Sequence, residues 1–115
     1  MSATELLVWG FVIHLIVDWL GQNQWIALHK TNLRHPAGYI HALVHTLALW
    51  IVFPIGAAAA LGAAHLLIDT RRPLELWSRV MSQPAEGPEA FTIHVWRDQT
   101  LHLAVIAAAA LIVGE

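Results

Sequence analysis

Long apolar runs broken by single polar positions at helical spacing organise this chain. The first is LLVWGFVIHLIVDWLGQNQWIALHK, and Ser2 and Glu5 before it have capping-box spacing, so a helix is expected over about 3–30. At ~100° per residue His14, Asp18, Gln22, Trp25 and His29 share one stripe of it, with apolar residues on the opposite surface. Pro36 suits the first turn of a second helix, expected over about 36–53, which puts His41 and His45 on one face. Pro54 and Gly56 mark a break. A third helix is expected over about 56–71, carrying His65 and Asp69, although one helix kinked at Pro54 is an alternative. Gly56, Ala60 and Ala64 form a ridge of small residues that lets helices approach closely in lipid. Residues 71–89, with Pro73, Pro84 and Pro88, read as a surface loop with a short amphipathic turn around Leu74 to Met81. A fourth helix is expected over about 89–113, with His94, Asp98 and His102 on one stripe.

Composition turns this all-α pattern into a membrane expectation. Hydrophobic residues make up 57% and charged residues 12%, where soluble proteins carry roughly 25% charged; the mean hydropathy is +0.58. The expectation is one domain over 1–115, an integral membrane four-helix bundle. Four spans would place Lys30, Arg34, Arg71, Arg72, Arg79 and Arg97 on one side. The positive-inside rule makes that side cytoplasmic, with both termini outside the inner membrane; three spans would split the basic loops. Trp9 and Trp50 would then mark one interface and Trp25, Trp77 and Trp96 the other. No Lys or Arg precedes the first apolar run, so it is expected to be a retained helix rather than a signal peptide. A net charge of −2 offers nucleic acid no basic patch. The absence of cysteine excludes disulfides, thiolate ligands and a cysteine nucleophile.

Each of the chain's three aspartates follows a histidine by four residues: His14 and Asp18, His65 and Asp69, His94 and Asp98. That spacing stacks both side chains on one helix face. Ionisable groups deep in a membrane helix cost ~2.5–3.5 kcal/mol each, so something must offset them. A divalent metal, a self-contained hydrogen-bonded network and a proton or ion path are the three candidates. Imidazole with carboxylate suits zinc, and also iron or manganese, better than calcium. Asp18, His45, His65, Asp69, Asp98 and His102 are expected nearest the ion or ions, with His14, His41 and His94 behind them. Gln22 and Gln99 read as ligand contacts or helix-to-helix hydrogen bonds, Arg97 as a snorkelling residue, and His29 and His35 as ordinary interfacial residues.

A metal-dependent hydrolase acting from the cytoplasmic side on a lipid-like ester or phosphate is the leading functional expectation, with Asp18 and Asp98 as its proton-moving groups. Ser2, Ser78 and Ser82 all lie outside the expected spans, which argues against a buried serine nucleophile. The alternatives are a proton or metal-ion carrier and a non-catalytic membrane assembly protein; a homodimer is a further expectation.

The segments HLIVDWLGQNQWIALHK, IHALVH, HLLID and RDQTLHL, in this order, resemble a family of small bacterial and phage membrane proteins known as domain of unknown function thirty-three-zero-seven. The resemblance covers nearly the whole chain and is most specific at His14, Asp18, Gln22 and Trp25, and at Asp98, Gln99 and His102. His41 or His45, with His65 and Asp69, matches the family's middle histidines and acid. The Ala-rich third helix and His94 depart from the pattern. The likeness implies a four-helix membrane protein with a polar His/Asp centre and brings no activity. A looser similarity, in ligand type alone, is to membrane-bound metal-dependent hydrolases.

Overall fold

The computed structural model describes residues 1–83 and 86–115, so Pro84 of the expected loop lies outside the described residues. Among these the chain is helical and without strands. Helix α1 (Ala3–Leu15) continues into a π-helical segment (Ile16–Leu20); α2 (Gln24–His29), α3 (Pro36–Leu49), α4 (Ile55–Asp69), α5 (Arg72–Val80) and α6 (Ala90–Val113) follow.

The capping box forms: Ser2 Oγ accepts from the Glu5 amide at 3.1 Å and Glu5 Oε2 accepts from the Ser2 amide at 2.7 Å. The single helix expected over 3–30 does not. The Gly21 amide bonds back five residues to the Ile16 carbonyl at 2.8 Å, a wider turn than the α-helix allows. The chain then breaks, and Asn23 Oδ1 starts α2 by capping the Ile26 amide at 2.9 Å. Gln22, Trp25 and His29 therefore leave the stripe of His14 and Asp18.

Pro36 sits in the first turn of α3, and His35 is its cap, Nδ1 accepting from the Ala37 amide at 3.1 Å. Helix α3 stops at Leu49, short of the expected 53, where the Ile51 and Val52 amides bond only three residues back, to the Ala48 and Leu49 carbonyls, and tighten the last turn. Pro54 then separates two distinct helices, not one kinked helix. After α4 the backbone turns left-handed at Arg71 (φ 67°), and the expected amphipathic turn is the nine-residue helix α5.

Helices α1, α3, α4 and α6 form a ring in which every neighbouring pair is antiparallel. Across α1 and α6, Gly10 meets Ile106 and Gly114 meets Ala3; across α3 and α4, Gly62 meets Ala42 and Thr46, and Gly38 meets Leu66. A Cβ on Gly62 would overlap the Thr46 side chain, so glycine permits that approach. The ridge predicted at Gly56, Ala60 and Ala64 does not make this contact. Gly56 and Ala60 face outward, and buried Ala58 and Gly62 lie at the helix contact instead. Leu6, Leu49, Phe53, Ala58, Leu61, Ile106 and Ala110 fill one end of the ring. The other end carries all six basic residues, by the order and direction of the helices.

Beside its apolar core the chain buries a polar cluster and exposes many large apolar side chains. His14, Asp18, His41, His45, His65, Asp69, Gln99 and His102 are buried, while Val8, Trp9, Ile16, Leu43, Leu47 and Ile112 are exposed. By length and apolarity, however, one helix among the described residues suffices to cross a membrane, Ala3–Leu20, with a mean hydropathy of 1.6; Ile55–Asp69 is apolar but shorter. At ~1.5 Å per residue α3 and α4 reach only ~21 and ~22 Å, against a hydrocarbon core of ~30 Å. Helix length and apolarity thus fall short of the expected four-span bundle.

Candidate metal centre

Eight of the nine residues expected at the site converge in the basic half of the ring. The exception is His94, on the first turns of α6, which joins none of the close groupings. It lines a cavity of about 240 Å³ that also touches Asp18, Asp69, Asp98, Lys30 and Arg71.

Asp18, delivered by the π-helical segment, is the hub. Its Oδ1 lies 3.0 Å from His41 Nε2 and 3.6 Å from the Nε2 atoms of both His45 and His65. A tetrahedral ion with bonds of ~2.0–2.1 Å needs donors ~3.3–3.5 Å apart, and the three distances from Asp18 to the histidines bracket that spacing. All four side chains are buried, and their donor atoms lie within 4.8 Å of one another. His45 carries the sharpest signal: among the described residues neither of its ring nitrogens has a hydrogen-bond partner, and His65 Nε2 has none of acceptable geometry. Buried polar atoms are seldom left so, and an absent ion is one of the standard reasons.

Asp69, Asp98 and His102 form a second grouping that shares no residue with the first. Asp69 Oδ1 accepts from His102 Nε2 at 3.2 Å, and Asp98 Oδ2 lies 3.6 Å from the same nitrogen. Asp98 is half-buried and borders the cavity, which Asp69 and the Asp18 of the first quartet also line, whereas His41, His45 and His65 lie behind it. A third grouping, His14, His65 and His102, borrows from both.

Gln99 ties the cluster together as a helix-to-helix bridge. Its amide nitrogen donates to Asp18 Oδ2 at 2.8 Å and to Asp98 Oδ2 at 3.1 Å, and its Oε1 faces His14 Nε2 at 3.0 Å. The two carboxylates fix the NH2 direction, so Oε1 must accept and His14 Nε2 must carry the hydrogen. His14 is held as an orienting group through Gln99; its own Asp18 is 3.9 Å away.

Lys30 is a site residue that the sequence pattern does not reveal. Its Nζ lies 3.8 Å from Asp18 Oδ1 and 3.8 Å from Asp69 Oδ1, a positive charge between two buried carboxylates. On a continuous first helix it would lie twelve residues beyond Asp18, ~18 Å away; the break at residues 21–23 lets it return. The signal was present in Gly21 followed by Asn23, a helix stop and a helix cap. Elsewhere Arg97 donates to Gln83 Oε1 at 2.9 Å, and His29 stacks on His35 with centroids 4.1 Å apart. Gln22 Oε1 is buried and has no partner among the described residues.

Fold and site together define an all-helical protein whose buried imidazoles and carboxylates could hold a metal ion. Residues 6–115 match the family described as "Protein of unknown function (DUF3307)", and the chain belongs to that family. The match brings no likeness to membrane-bound metal-dependent hydrolases. No curated protein and no solved structure matches the chain.

Proposed function

We propose that this chain is an inner-membrane metal protein that hydrolyses a lipid-like ester or phosphate at its basic, cytoplasmic end. The observation that carries the metal reading is His45, enclosed beside Asp18 with both ring nitrogens unpartnered among the described residues. The exposed apolar surface supports the membrane: soluble monomers rarely expose wide apolar patches, whereas here many Leu, Ile, Val and Trp side chains are outside while the His/Asp cluster is inside. On this reading all four ring helices lie in the bilayer, α3 and α4 being accommodated by local thinning, with the termini outside.

The two groupings share no ligand, so each could take an ion of its own. Asp18, His41, His45 and His65 would hold the more deeply buried one, most suitably zinc, with iron or manganese as alternatives. Asp69, Asp98 and His102 would hold the one beside the cavity, as the three-ligand sites of catalytic metals do. A divalent ion there supplies Lewis acidity and a water acidic enough to act near neutral pH. Asp98, on the cavity wall, would hold the ion through Oδ2, the oxygen beside His102, and take and return the proton through Oδ1. Asp18, fixed by His41 and Gln99, keeps the two groupings in register. Lys30 balances the carboxylates and competes for the space of a cation.

A carrier is the second reading. It needs polar groups through the far end, where Leu6, Leu49, Phe53, Leu61 and Ile106 pack together, and this favours the enzyme. An assembly protein would tolerate Asp18→Asn with Asp98→Asn. Metal analysis of the purified chain, followed by assay against ester and phosphoester lipids, tests the proposal. Stoichiometric zinc, lost in that double variant together with activity, is the expected result. A chain that neither contains nor takes up a transition metal ends the metal reading.

A further inference from the structure

The cavity beside the cluster does not stand alone. His94 and Arg71 also line a second hollow, of about 600 Å³, together with Arg79 and Arg97. Arg97 and Leu74 continue from there into a third, of about 670 Å³, whose walls are Trp77, Ile93, Trp96, Leu101 and Ala104. The three run in series from the His/Asp cluster, through a basic cleft, into an apolar groove between α5 and α6.

We propose that the cleft and groove bind one anionic lipid, its headgroup among Arg71, Arg79 and Arg97 and an acyl chain along Leu74, Trp77, Ile93 and Trp96. Charge decides the sign of the headgroup: three arginines line the cleft against one acidic side chain, Glu75. Arg97 has a donor ready for it, because Nη1 is engaged by Gln83 while the buried Nε has no partner among the described residues. Arg71 occupies a left-handed backbone position (φ 67°), where an L side chain costs ~1–2 kcal/mol and glycine would be free. A side chain kept at such a position points to a use for it. The groove commits the ligand to a lipid over a free phosphate, since it is apolar and lined by exposed Trp77 and Trp96. Helix α5, with Leu76, Trp77 and Val80 exposed beside Arg72, Glu75 and Arg79, has the make-up of a helix lying at a membrane surface. His94, on the wall common to cavity and cleft, would stand between headgroup and metal centre.

This inference rests on the membrane placement proposed above and extends it to the substrate class. The full chain in detergent, titrated with dioctanoyl phosphatidylglycerol and followed by tryptophan fluorescence, tests it. Saturable binding is expected, at least about tenfold tighter than for dioctanoyl phosphatidylcholine or for glycerol phosphate. R79A, at an exposed position, and R97Q should each weaken it about tenfold, the loss expected of one charge-assisted hydrogen bond. A104F should weaken it by obstructing the groove. Equal affinity for the two lipids, or unchanged affinity in both arginine variants, overturns the proposal. Zinc uptake, measured on the same samples, keeps the readings apart. Zinc binding without lipid selectivity removes this inference and leaves the metal centre, whereas lipid selectivity without zinc does the reverse. Recovery of the chain from cells outside the membrane fraction removes the placement and this inference together.

Discussion

His45→Leu separates a metal centre from a self-sufficient polar network, because the two give opposite signs. His45 is wholly buried and unpartnered among the described residues, and its Nε2 stands 3.6 Å from Asp18 Oδ1. A buried polar group without a partner costs ~1–3 kcal/mol. In metal-free protein the leucine should therefore raise stability by about that much, less the stacking given up against the His65 ring, whose centroid lies 3.6 Å away. With zinc the order reverses. At a free concentration 100 times Kd the parent gains ~2.7 kcal/mol, and the variant, one donor short of four, gains little. Unfolding followed in detergent, once with a chelator and once with buffered zinc, reads both numbers. A leucine variant that is less stable without metal yet keeps the full zinc increment would refute the reasoning and make His45 a structural member of the network.

Three further outcomes are expected. Lys30→Met should destabilise the metal-free chain, since Nζ faces two carboxylates at 3.8 Å, and should tighten zinc binding by removing a competing cation; chelator competition reads the second effect. Gln99→Glu replaces the donor shared by Asp18 and Asp98 with a third carboxylate, and zinc affinity should fall ~10–100-fold, the usual cost of losing an orienting group. Gly62→Ala forces a Cβ into Thr46 and should cost ~1–3 kcal/mol in thermal unfolding, whereas Gly56→Ala, open on all sides, should not destabilise.

The histidines and aspartates are legible because four-residue spacing on an apolar helix leaves them only the interior to face. Helix α6 and the separation of α3 from α4 follow from Pro36, Pro54 and Pro88. What escapes is whatever depends on a departure from regular helix geometry. The π-helical segment leaves no composition signature within IVDWL, and α2 merges with the first apolar run. A regular helix through that run carries Lys30 far from Asp18. The role of Gln99 depends on three partners from two helices, which spacing along one helix cannot reveal. His94 obeys the same spacing as the other pairs, but it lies on the first turns of α6, nearer solvent than the ring.

Unequal helix lengths have a mechanical corollary. On the membrane reading, α6, with 24 residues, has the length for a hydrocarbon core that α3, with 14, and α4, with 15, are too short to cross, although among the described residues only Ala3–Leu20 has both the length and the apolarity. The lipid would have to dip along the α3–α4 side, by ~8 Å relative to an unperturbed core of ~30 Å. Such a dimple would carry the aqueous boundary toward the buried carboxylates and shorten the path that protons and ions have to travel.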